Sequence, residues 1–233
     1  MHLTRRFRSL AGDTHGLALM EFALALPLVL GVGLYGVETA NLALMNLRLS
    51  QVATNLSDNA SRVGLNNNLS NQQLREVDIN DVLIAARLQG AAWDLTTRGR
   101  IIVTSLEADG AGNQKIHWQR CLGMRSGADY GSHYGTTSTT AGTDTNSANA
   151  GTPAPGGMGP TGAKVSAPPN SGVMFVEINY EYKPVVSARW LPNGSTRLTY
   201  TAAYIVRDRR DFAQIYNPAP AVQRMTCDRF TAS

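Results

Sequence analysis

Gly16-Leu-Ala-Leu-Met-Glu21-Phe-Ala-Leu-Ala-Leu-Pro27-Leu-Val-Leu-Gly-Val-Gly-Leu-Tyr-Gly-Val37 decides how the rest of this chain is read. Between Leu17 and Val37 the only charged side chain is Glu21. About 20 apolar residues rising ~1.5 Å each cross the ~30 Å hydrocarbon layer of a bilayer. A secretory signal core is shorter, about 7–15 apolar residues, and a core helix of a soluble domain carries a polar face that this run lacks. The run therefore reads as a membrane span over residues 17–37. A carboxylate in such a segment costs about 2.5–3.5 kcal/mol near the bilayer centre and less toward the interface, so Glu21 is expected to have a partner. Gly31, Gly33 and Gly36 offer small faces suited to close helix contact, although glycine is common in spans for other reasons. Pro27 lacks an N–H and is expected to loosen the helix over residues 23–27.

Upstream lie Arg5, Arg6 and Arg8 against Asp13. Half of the +4 net charge therefore belongs to the first 16 residues, and the sequence pI near 9.3 is poor evidence for nucleic acid binding. The arginines orient the span: by the positive-inside rule the amino terminus is cytoplasmic and the bulk of the chain lies across the membrane. A basic leader, a glycine, an apolar residue and a glutamate five positions into the new chain resemble the processing site of type IV pilins and pseudopilins. The run Met20-Glu21-Phe22-Ala23-Leu24-Ala25-Leu26-Pro27, with Gly36 and Glu38 beyond it, resembles more narrowly the TadE-like pseudopilins of the tight-adherence (Tad/Flp, type IVc) pilus assembly system. The resemblance covers about residues 12–45 in motif and the rest only in layout. It implies that a prepilin peptidase removes a leader of residues 1–16 by cutting between Gly16 and Leu17. The Leu17 amine and Glu21 would then serve subunit assembly.

Beyond the span, Leu42, Met45, Leu49, Val52, Leu56, Asn59 and Val63 recur at alternating steps of three and four, an apolar seam at heptad spacing. The span is thus expected to continue as one long amphipathic helix to about residue 63, with Gly64 as its stop. Ser70 with Gln73 forms a capping box for a second helical stretch, broken near Ile79-Asn80 or split in two, and ending at Gly90. Four strands follow: Arg100–Glu107 and Lys115–Cys121 as a hairpin, then Val173–Tyr182 and Arg197–Val206 joined at an Asn193-Gly194 turn. The expected fold is α+β: an N-terminal membrane-spanning helix extending into an amphipathic helix packed on a four-stranded antiparallel sheet. The domain division is 1–16 leader, 17–37 span and 38–233 extracytoplasmic pilin-like domain.

Residues 123–172 are dominated by Gly, Ser, Thr, Ala, Asn and Pro. Such a composition buries too little apolar surface to offset its ordering entropy, so a flexible loop is expected, either a plain insertion or a ligand- or glycan-bearing surface. The cysteines are two, Cys121 and Cys227. In an exported domain they would pair, closing a loop of roughly a hundred residues worth about 4–5 kcal/mol in the chain-entropy picture; two separate buried thiols are the alternative.

Catalytic chemistry finds little footing. The histidines, His2, His15, His117 and His133, have no metal-ligand spacing, and there is no phosphate loop or nucleophile elbow. Asp94, Glu107, Asp109, Glu177 and Glu181 are the carboxylates that a fold would have to bring together for acid–base work. The expectation is a non-enzyme without metal, cofactor, nucleic acid or small-molecule substrate. The first functional reading is a structural pseudopilin that helps assemble or prime an adhesive pilus after leader cleavage. Its partners would be the membrane, a prepilin peptidase, other pilins and the pilus machinery. It would sit in a bacterial inner membrane with a periplasmic domain, or become part of the surface pilus. The alternative is an unprocessed single-span anchored binding protein outside any pilus.

Overall fold

The computed structural model describes residues 16–64 and 71–233. The leader, apart from Gly16, and Ser70 of the expected capping box lie outside the described residues. The chain's described residues fall into two compact units: residues up to Ala43 with Lys183–Thr196, and Leu44–Tyr182 with Arg197–Ser233.

Helix α1 runs unbroken from Leu17 to Arg62, with Pro27 inside it. It stops where Gly64 takes a φ of +154°; a Cβ there would sit 2.8 Å from the Gln72 side chain, whose Nε2 donates to Gly64 O at 2.9 Å. In the second unit, α1 buries Met45, Leu49, Val52, Ala53, Leu56 and Ala60 and packs on a sheet. Leu42 and Val63 are only half-buried, and Asn59 is exposed. The difference from the expected heptad seam is geometric. A straight helix of 3.6 residues per turn drifts about 20° per heptad away from a 3.5 spacing. The contact stripe therefore moves onto Ala53 and Ala60 as it ascends.

Helix α2 is continuous over Glu76–Gln89, not broken at Ile79-Asn80. Ile79, Val82, Leu83 and Ala86 are buried at helical spacing, while Asn80 faces away and donates from Nδ2 to Gln223 O. Its first turn is closed by Asp78, whose carboxylate accepts the Arg75 backbone N–H at 3.0 Å and the Arg75 guanidinium. A short helix α3, Leu95–Arg98, leads into β1, Gly99–Ala108.

The sheet is antiparallel and five-stranded. β2 is Gln114–Leu122, β3 Thr152–Pro153, β4 Gly172–Glu181 and β5 Arg197–Ile205, in the order β3-β2-β1-β4-β5. The strand beyond the expected four, β3, is a two-residue pairing that composition could not reveal. The Asn193-Gly194 pair is left-handed (φ +57° and +64°), yet it lies within a long connection, because the β4–β5 ladder already ends at the Glu181–Arg197 pair.

The register sets the two faces. Ile101, Ile178 and Tyr200 align across β1, β4 and β5, and Ser50 of α1 donates to the Tyr200 hydroxyl at 2.7 Å, so α1 covers that face. The opposite face carries Leu106, Ile116, Val173 and Phe175, packed against Ala154, Met158, Ala167, Tyr134 and Val165. The segment expected to be a flexible loop is thus a folded cover for the second face. Its few apolar residues are placed where the chain crosses the sheet, and strand side chains bond parts of its backbone. The Gln114 side chain accepts from Ala167 N (2.8 Å) and donates to Ala167 O (2.9 Å). Gln119 Nε2 donates to Gly135 O. At Gly151 (φ +92°) a Cβ would lie 2.3 Å from Ile116 O, so the cover meets β2 backbone to backbone. The tail bonds to residues 72–76 and to β2, through Tyr216 N to Leu74 O and Cys121 N to Met225 O.

Candidate functional site

The outstanding surface of this chain is the first part of α1. None of its most apolar 18-residue window is buried, and its mean hydropathy is 2.2. Leu28 and Val32 are exposed by 72% and 74%. A contiguous apolar surface of this size is not kept in water. It makes α1 a candidate membrane span near the amino terminus, as in a single-span membrane protein.

Gly16 O accepts the first bond of α1, from Met20 N at 3.1 Å, so the helix begins at the expected processing position. Leu17 and Glu21 are both exposed. Being one turn apart at i and i+4, they share a helix face about 6 Å apart. A Cβ at Gly31, Gly33 or Gly36 would meet nothing within 4 Å, so these glycines form an open, low-relief stretch of the span.

At the end of the apolar run the helix is held by its own unit. Glu38 is 1% exposed, and its Oε2 accepts the Val186 N–H at 2.6 Å. The rings of Tyr35 and Trp190 lie 6.4 Å apart. Sequence reasoning missed this attachment: Glu38 marked only the return of polarity, and nothing local links it to residue 186.

Among the described residues of the second unit, the buried carboxylates Glu76, Glu107 and Glu177 each sit in a polar cluster. Glu76 accepts from Arg120 through both oxygens and from Arg224 Nε at 3.0 Å, and both Glu76 and Arg120 are fully buried. His117, the extra residue of a bulge in β2, places Nδ1 2.7 Å from Glu107 Oε2. Glu107 Oε1 accepts from Ser105 Oγ. Arg210, beside Glu107, donates to Ala60 O (3.1 Å) and Val63 O (2.8 Å) at the end of α1. Burial lowers its pKa to about 10, against the opposing pull of Glu107. On the other face Glu177 is held by His133 and by Asn179 Nδ2. Of the carboxylates singled out in the sequence, Glu107 and Glu177 occupy opposite faces of the sheet, whereas Glu107 and Asp109 border one shallow cleft. No group of three or more His, Cys, Asp or Glu residues suited to a metal occurs among the described residues.

Cys121 and Cys227 form a disulfide with Cα atoms 4.8 Å apart. They border a cleft of about 160 Å³, also lined by Arg100, Gln119, Ser132 and Phe230. Arg100 donates to the carbonyls of Gly123, Cys227 and Arg229 and lies over the Phe230 ring at 4.2 Å. Burial lowers its pKa. With its charge spent on tail carbonyls, Arg100 ties the carboxyl-terminal segment to the sheet.

Compared with known proteins, this chain matches no family model, no curated protein and no solved structure.

Proposed function

We propose that this chain is a TadE-like pseudopilin: a processed, membrane-anchored subunit acting in the assembly or priming of an adhesive pilus. One observation carries the reading. A helix whose apolar first part is unburied starts directly after Gly16, carries Leu17 and Glu21 on one face of its first turn, and continues without a break to Arg62, its later part packing in an α+β domain. In this reading a prepilin peptidase cuts after Gly16 and leaves the Leu17 ammonium at the head of the span. That amine and the Glu21 carboxylate of adjacent subunits pair where an unanswered charge is costly. The domain is periplasmic, the amino terminus faces the cytoplasm before cleavage, and the role is structural rather than catalytic.

A second reading, an unprocessed anchored binding protein, draws on the cleft beside the disulfide and on the folded cover of the sheet. Intact-mass measurement of membrane-extracted protein separates the two. Loss of residues 1–16 is the expected result, and Gly16→Arg should leave the full-length species. An intact amino terminus in the wild type favours the anchored binder, and normal maturation of Gly16→Arg would refute the assigned site.

A further inference from the structure

The connection between β4 and β5 is longer than a hairpin needs, and the part of it from Lys183 to Thr196 shares a compact unit with the apolar half of α1. It reads Lys183-Pro-Val-Val-Ser-Ala-Arg189-Trp190-Leu-Pro-Asn-Gly-Ser-Thr196, with two cations and no carboxylate. It is fastened to α1 at the level where the apolar run ends. Val186 N–H is bound by Glu38, one residue past Val37, and the Trp190 ring stands beside Tyr35, inside the last apolar turn. Val185, next to the anchored Val186, leaves 63% of its surface exposed, and Lys183 and Arg189 are exposed as well.

We propose that Lys183–Thr196 is a second membrane-contacting element, which rests on the bilayer surface around α1 and binds anionic phospholipid headgroups. This rests on reading residues 17–37 as a span. If the span fills the hydrocarbon layer, Tyr35 and Trp190 stand at its rim, where amphipathic rings favour the headgroup region. The exposed Val185 then faces the headgroup boundary, and the two cations face a negatively charged surface, each worth about 1 kcal/mol close to it. The burial of Glu38 follows the same logic. A carboxylate facing anionic headgroups would be repelled, and here it is turned inward onto a backbone N–H. Charge and apolar exposure both fit lipid better than a neighbouring copy of this connection, which would bring like charges together.

The full chain, reconstituted in vesicles of phosphatidylcholine and phosphatidylglycerol with brominated acyl chains, tests this through tryptophan quenching. Of the three tryptophans, Trp190 should account for the quenching, which should be stronger with bromines at shallow acyl positions than at deep ones. Trp190→Phe should abolish most of it, and Val185→Asp, which keeps all three tryptophans, should reduce it. Raising the phosphatidylglycerol fraction should increase quenching, and Lys183→Gln with Arg189→Gln should remove that increase. Wild-type emission untouched by bromine, or equal quenching in Trp190→Phe, overturns the contact. Quenching independent of anionic lipid overturns the headgroup assignment. Release of the protein from the same vesicles by alkaline carbonate would refute the span, and with it this inference; retention without quenching refutes the inference alone.

Discussion

A buried arginine is tolerable only where its charge is answered, and Arg120 is answered by Glu76. Both side chains are fully enclosed, and the two are 44 residues apart in sequence. Glu76→Gln keeps the shape and removes the charge. It should cost about 3–5 kcal/mol of stability, the usual scale for stranding one member of a buried pair, read as a lower urea midpoint for the solubilised protein. A midpoint equal to wild type would mean that the charge of Glu76 adds no net stability at that site. Such pairs were not legible in the sequence. Glu76 opens a helix and Arg120 sits in an alternating strand, and each position has a local explanation that conceals the distant one. Glu21 was legible because its environment is local: apolar neighbours on both sides suffice to mark a charge as unusual. Glu38 shows the boundary between the two cases. Its acid was visible, but its partner, the Val186 N–H, depends on the course of a connection that no spacing rule predicts.

Among elements, those with a strong period were readable and the aperiodic cover was not. The strands β1, β2, β4 and β5 and the long helix follow from alternation and from runs of apolar residues. The cover between β2 and β4 looks like a disordered insertion by composition, because a handful of apolar residues among many small polar ones averages out. What folds it is position: Tyr134, Ala154, Met158, Val165 and Ala167 all come back to the sheet, and side chains from the strands bond parts of its backbone. Gln114 makes two such bonds, to Ala167 N and O. Gln114→Ala should release that crossing. Two lost bonds at about 1 kcal/mol each correspond to trypsin cutting after the exposed Lys164 some tenfold or more faster, with β1 and β4 still protected. Cutting at the wild-type rate would show that apolar packing alone holds the cover. The same comparison explains the helix seam. Heptad spacing was the right signal for a buried stripe, but it assumes a supercoiled partner. The sheet supplies a flat one, and the stripe followed 3.6 residues per turn.

At the scale of the whole molecule, the proposed assembly depends on a charge far along α1 from the folded domain. Glu21→Gln should leave membrane insertion unchanged or easier, since a costly group is gone. It should leave the domain folded, since some 23 residues at ~1.5 Å, about 35 Å of helix, separate Glu21 from the first sheet-facing residues near Met45. Pilus formation should nonetheless fall, because the neighbouring amine loses its counter-charge. Wild-type piliation at equal membrane abundance would end the pairing mechanism and leave the span standing. The disulfide has a further consequence once the chain is held in a membrane at one end. A tensile load running between Leu17 and Ser233 passes from Cys121 directly to Cys227. β3, β4 and β5 lie inside the bypassed stretch, so load reaches them only through hydrogen bonds and packing, as from β1 to β4. A separation of 106 residues at ~3.4 Å per extended residue withholds roughly 360 Å of contour length. Under shear the protein can therefore yield at its ends while the backbone closed off by the crosslink is not drawn out.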